Sequence, residues 1–172
     1  WYESRAGHWI AETNWPDSLQ HHILHLQSDH RLDLNATDLS EVFKSPQTCG
    51  AASGEYCAMW LGPEMPGDQR GDDAFSACFT SEPLQERMDI VGAPRLQLRL
   101  SSDKPAAQIA VRLNHIHPDG AVTRVTYGVL NLAHRNGHEK SEALIPGADI
   151  DIALALDQIA YREPKGHAIR VA

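Results

Sequence analysis

Two runs of alternating apolar and polar side chains occupy residues 111–117 and 121–132, with Pro118-Asp119-Gly120 between them. An alternation of period two sends successive side chains to opposite faces of an extended strand. Pro presets φ and Gly supplies a positive φ, so the tripeptide reads as a tight turn and the segment as a long β-hairpin. Similar short runs, bounded by Gly, Pro, Asp or Ser, recur along the chain, which is the pattern of a sandwich or barrel of many short strands. Strands are predicted at 8–12, 22–27, 31–34, 74–80, 88–91, 95–101, 108–115, 122–132, 149–156 and 167–171. In the run 95–101, Leu96, Leu98 and Leu100 share one face while Arg95, Gln97 and Arg99 share the other, so this strand has one face in water. No long segment carries a helical period, and the expected class is all-β. The alternation breaks over 45–73, where Pro46, Gly50, Gly54, Gly62, Pro63, Pro66, Gly67 and Gly71 mark one long Gly/Pro-rich loop. A loop of that length in a compact domain is functional or mobile.

A chain of 172 residues with 42% hydrophobic side chains is long enough for one domain, 1–172, with a sizeable core. Its net charge of −8, from 15 basic and 23 acidic side chains with no Lys/Arg cluster, repels phosphate backbones and argues against a nucleic-acid partner. No apolar run approaches the ~20 residues that cross a bilayer, so no membrane partner is expected, and Trp1-Tyr2-Glu3-Ser4-Arg5 does not read as a signal peptide. Cys49, Cys57 and Cys78 match no zinc or redox spacing and cannot all pair within one chain. They read as reduced thiols, with a Cys49–Cys57 or Cys57–Cys78 bridge as the minor alternative, and the pattern favours a cytoplasmic origin.

Several segments carry a family resemblance. They are the 111–135 hairpin, Trp9-Ile10-Ala11-Glu12-Thr13-Asn14-Trp15-Pro16, Asp68-Gln69-Arg70-Gly71-Asp72-Asp73, Ser81-Glu82-Pro83-Leu84, Gly92-Ala93-Pro94-Arg95 with the strand after it, and Gly166-His167-Ala168-Ile169-Arg170-Val171. In this order they resemble the C-terminal domain of the CocE/NonD hydrolases, which include X-Pro dipeptidyl peptidases and cocaine esterase. Ala168 stands where that family usually has Arg, and the match is poorest between about 20 and 44. The resemblance implies a jelly-roll β-sandwich of the galactose-binding-domain type, accessory to a preceding α/β-hydrolase domain that carries a Ser/His/Asp triad. It also implies that relatives continue for several strands past Val171-Ala172, so the sheet is expected to expose an open edge, covered by another chain or a swapped segment.

The residues themselves offer weak catalytic signals. Gly50-Ala51-Ala52-Ser53-Gly54 sets Ser53 one place too late for a nucleophile elbow. A Cys57–His dyad has no visible spacing to support it. His115 and His117, two apart on a strand, point to one face as two ligands of a jelly-roll metal site do, yet Asp119 follows where a cupin wants a Glu, and Arg112-Leu113-Asn114 precedes where it wants a glycine-rich lead-in. They read as a hairpin-end pair, and no metal or cofactor is expected. His21, His22 and His25 read as surface residues, and His134 and His167 as sheet-corner groups bonded to backbone. Asp68, Arg70, Asp72 and Asp73 form the densest polar cluster, and they read as a loop clamp because a bidentate guanidinium can pin a long loop. For Met59 and Trp60 the resemblance implies contact with the hydrolase domain's substrate pocket, while plugging this domain's own edge is the equal alternative. Trp9 and Trp15 suit an interdomain seam or core packing equally. The expected function is that of an inactive accessory domain of an X-Pro dipeptidyl peptidase or acyl esterase, walling the cleft and supporting interdomain or homo-oligomer contacts. A carbohydrate-binding jelly-roll module is the alternative, opposed by an aromatic content of only 6%.

Overall fold

The hairpin is present with its turn. In the computed structural model, which describes residues 7–11, 13, 19–54 and 65–172, β6 (Gln108–Ile116) and β7 (Val122–Asn131) pair antiparallel over their whole length. His117 O accepts from Gly120 N, Asp119 Oδ1 accepts from Ala121 N, and Gly120 adopts φ +86, which a Cβ would oppose.

Around that hairpin the strands are β1 (His25–Leu26), β2 (Leu32–Asp33), β3 (Phe79–Thr80), β4 (Met88–Gly92), β5 (Arg95–Leu100), β8 (Ile150–Ala155), β9 (Ile159–Glu163) and β10 (Ala168–Val171). A four-stranded sheet runs β3-β10-β6-β7, and the ladders β4-β9, β5-β8 and β1-β2 accompany it, all antiparallel. This is the antiparallel, sandwich-type all-β class that the alternation predicts. The strand 95–100 alternates exposed and half-buried residues, as a strand with one wet face should.

The core forms where the sheet's inner face meets the paired ladders. Val111, Leu113 and Ile169 from β6 and β10 pack with Phe79, Leu32, Leu154 and Leu156. A second cluster of Leu132, Leu144 and Ile152 closes the far end. Between Leu113 and Asn114 the β6–β7 register shifts, a bulge that keeps Thr123 opposite His115 and Arg124 opposite Asn114. From Val111 to His115 every residue is buried, because both faces of β6 are covered.

The strands depart from the sequence reading in three places. The predicted strand 74–80 shrinks to Phe79–Thr80, because the chain ahead of it winds into the short helix α1 (Arg70–Asp73) and further turns, with Ala74 N donating to Arg70 O and Ser76 N to Asp73 O. Residues 8–11 carry no strand, and 22–27 and 31–34 contract to β1 and β2. Finally β9 escapes the alternation rule. Its inward-facing Glu163 is fully buried, so the strand lacks the apolar end that would flag it.

β10 lies between β3 and β6, so the last strand is paired on both sides. Among the described residues the outer positions of this sheet belong to β3 and β7. Among the described residues no helix is long and apolar enough to cross a membrane.

Candidate functional site

Two polar clusters flank β6, one on each face. On the outer face, Arg112 and Asn114 of β6 and Arg170 of β10 meet the segment 69–76. Asp73 Oδ1 accepts from Asn114 Nδ2 at 3.1 Å and lies 3.0 Å from Arg112 Nη2, while Asp73 Oδ2 accepts from Arg170 Nη1 at 2.9 Å. Arg112 also donates to Gln69 Oε1 at 3.0 Å and to Ser76 Oγ at 2.7 Å. Buried charges persist when they are paired, as Asp73 is with Arg112 and Arg170.

Asp72 faces the opposite way. Its two carboxylate oxygens accept from the backbone N–H groups of Gly50 and Ala52, each at 2.9 Å. Gln69 Nε2 donates to Ala52 O and Gly67 O, joining the start of the long loop to its end. Arg124 of β7 adds a bond from Nη1 to Ser53 O while its guanidinium stacks on the Tyr127 ring. Burial pulls the Arg124 pKa below the usual guanidinium value. The loop that leaves at Gly54 and is described again from Met65 is thus tied to the sheet at both ends.

Of the four residues expected to clamp this loop, Asp72 meets the Gly50 and Ala52 amides and Asp73 meets Arg112 and Arg170. Arg70 forms an ion pair with Asp68, donating from Nε to Asp68 Oδ2 at 2.6 Å on the more exposed side. Burial pushes the Asp68 carboxyl up, but the hydrogen bonds and charge of Arg70 outweigh it and leave the pKa below the usual carboxylate range. The guanidiniums of Arg112 and Arg170 are missed by sequence reasoning, because their partners lie some 40 and 97 residues away along the chain. Met59, Trp60, Cys57 and Trp15 lie outside the described residues, and Trp9 is exposed. Cys49 and Cys78 are free thiols that donate weakly to Asp72 O and Asp73 O; burial, with Asp73 nearby, pushes the Cys78 thiol up. Ser53 sits in a turn with its hydroxyl directed to Gly54 O, not on a strand-to-helix elbow.

On the inner face, His115 and His117 of β6 stack at 3.9 Å between ring centroids. His167, just ahead of β10, brings Nδ1 against Nε2 of His115. β9 contributes Tyr161, whose Oη lies 2.9 Å from His115 Nδ1, and Glu163, whose Oε2 lies 3.2 Å from His115 Nε2. The sequence exposes only the His115–His117 pair; the third imidazole and the carboxylate arrive through β10 and β9.

The model of the X-Pro dipeptidyl-peptidase C-terminal non-catalytic domain matches residues 1–172. The chain belongs to this family. Proteins of Mycobacterium bovis and Mycobacterium tuberculosis that carry the name serine esterase are each 24% identical over 190 residues, covering 95% of this chain. The domain spans 30% of the length of these curated relatives. Among solved structures, an alpha-amino acid ester hydrolase superposes with a TM-score of 0.78 at 19% identity, over 95% of this chain and 31% of that one. An aminopeptidase from a marine sediment archaeon of the Thaumarchaeota gives a TM-score of 0.66 at 20% identity, over 86% of this chain and 28% of its own. A CocE/NonD family hydrolase of Staphylococcus aureus gives 0.51 at 16% identity over 55% and 21%. At these identities the structural likeness establishes the fold, and the family match establishes a non-catalytic C-terminal domain of hydrolases.

Proposed function

We propose that the domain serves a serine hydrolase that cleaves an ester or an amide, an X-Pro peptide bond being one such amide. In this reading a Ser/His/Asp triad in a preceding α/β-hydrolase domain performs the chemistry, and the 59–73 loop walls the substrate cleft. The observation that carries it is the double anchoring of that loop. Asp72 holds Gly50 and Ala52, Gln69 ties Ala52 to Gly67, and Arg112 and Arg170 hold Asp73 to the sheet. Anchoring on both sides lowers the entropic cost of ordering the intervening segment, which carries Met59 and Trp60 in sequence, against a pocket on another domain. Phe75, half exposed beside the same clamp, extends the apolar rim available to interdomain or oligomer contacts. The free Cys49 and Cys78 thiols suit a reducing, cytoplasmic setting.

Hydrolysis of p-nitrophenyl acetate and of Gly-Pro-p-nitroanilide tests the reading. The chain alone is expected to turn over neither, and a product that also carries the hydrolase domain should turn over one. In that longer product Trp60→Ala should raise KM for bulky acyl groups more than for acetyl. Turnover by the chain alone overturns the accessory role, and an unchanged KM series overturns the cleft wall.

A further inference from the structure

The inner-face cluster is a donor set that the proposed hydrolase chemistry does not use. β6 sends His115 and His117 to the same face, two residues apart. Antiparallel pairing of β10 with β6, in the register Ala168↔Ile116, brings the preceding residue, His167, alongside His117. One ring nitrogen from each of the three lies within 4.8 Å of the others. The set is held from outside as well. Tyr161 Oη engages Nδ1 of His115 and Thr123 Oγ1 lies 3.0 Å from Nε2 of His117, contacts of the kind that fix tautomer and ring orientation in metal-ligating histidines.

We propose that His115, His117 and His167 bind a divalent transition-metal ion of the zinc class. Imidazole nitrogens suit zinc, copper and nickel, whereas calcium and magnesium take oxygen donors, so the ligand chemistry selects the metal class. Glu163 is fully buried, with Oε2 3.2 Å from His115 Nε2, so its carboxylate would offset half the charge of a dication held on three neutral imidazoles. His115 Nε2 and His167 Nδ1 stand 2.5 Å apart, whereas two nitrogens on one tetrahedral zinc stand about 3.3 Å apart. Binding therefore parts that pair by roughly 0.8 Å. His117 and His167 are only half-buried, which leaves the ion a route of entry at the hairpin end.

The site ties β6 to the segment leading into β10, and through Glu163 and Tyr161 to β9, so its role is to hold the two layers in register. The test is metal content after the purified chain is incubated with zinc and desalted, read by inductively coupled plasma mass spectrometry. The chain should retain one zinc per molecule and release it to EDTA with a fall in Tm. His117→Ala should lose the metal, Glu163→Gln should weaken binding about 10- to 100-fold, and His21→Ala/His22→Ala, away from the cluster, should retain one zinc. Should His117→Ala fail to fold, cobalt(II) loaded on the unaltered chain decides, since imidazole ligation in a tetrahedral site gives strong visible ligand-field bands. Trace zinc on a folded chain, equal zinc on folded His117→Ala, or bound cobalt without those bands overturns the proposal.

Discussion

Arg112 shows how far a single side chain departs from its sequence context. In the alternation of β6 it occupies a polar position, which on a hairpin with one wet face points to water, yet it is 8% exposed and surrounded by Gln69, Ser76, Asp72 and Asp73. The residue 69–76 cluster is visible in sequence as charge density, two adjacent carboxylates beside a guanidinium. The partner is not, because a linear reading pairs Asp72 and Asp73 with Arg70, their neighbour, while the pairing of β6 with β10 brings Arg112 and Arg170 to them. Removing one side of a buried ion pair leaves the other uncompensated, at a cost of about 3–5 kcal/mol. Arg112→Ala should therefore lower stability by about that amount in urea titration. Arg112→Lys should recover only part of the loss, since one ammonium cannot reproduce a planar fork shared among Gln69, Ser76 and Asp73. Equal stability of Arg112→Ala and the parent would show that the cluster is solvated and holds nothing.

At the scale of elements, β7 and the turn after β8 meet at a point that tolerates no side chain. Gly128 is opposite Val111, and a Cβ built on it would stand 2.9 Å from Leu156 Cδ2, 3.0 Å from Ala155 O and 3.3 Å from Leu156 Cα. Two of those atoms are backbone, so a rotamer change in Leu156 cannot relieve the contact. Gly128→Ala should force the β8 end away from the hairpin and cost about 1–3 kcal/mol by overpacking, read as a lower Tm with an unchanged β-sheet circular dichroism spectrum. A Tm at or above the parent's would place the two layers farther apart than they stand here. The hairpin, β4, β5, β8 and β10 are legible because each alternates apolar and polar side chains in sequence. The strand β9 is not, since Glu163 and Tyr161 turn polar atoms inward where the rule looks for hydrocarbon. The inner-face cluster was hidden for the same reason: His115 and His117 are visible as a pair, but Glu163 and His167 reach them only through pairings across the fold.

For the whole molecule the decisive feature is that the chain's last strand is internal to its main sheet. β10 bonds to β3 on one side and β6 on the other, Ala168 and Ile169 are buried, and Ala172 exchanges backbone hydrogen bonds with Arg112 in both directions. The ladders β4-β9 and β5-β8 likewise join early strands to late ones. Long-range pairing of this kind withholds its reward until distant segments meet, so folding belongs to the slow milliseconds-to-seconds range of β-sandwiches. It also means that no N-terminal part completes the core by itself. Deleting 168–172 opens the four-stranded sheet through its middle, strips Ile169 from the cluster of Val111, Leu113 and Phe79, and leaves Asp73 without Arg170. The shortened chain should show no cooperative urea transition and should bind a hydrophobic dye, whereas Ile169→Ala, which keeps the ladder and removes only side-chain volume, should unfold cooperatively with a loss of about 2–5 kcal/mol. The contrast separates backbone pairing from packing. A sharp transition in the deletion would mean that β3 and β6 close on each other once β10 is gone, and the sheet order would then be a choice among alternatives instead of the scaffold on which both polar clusters are hung.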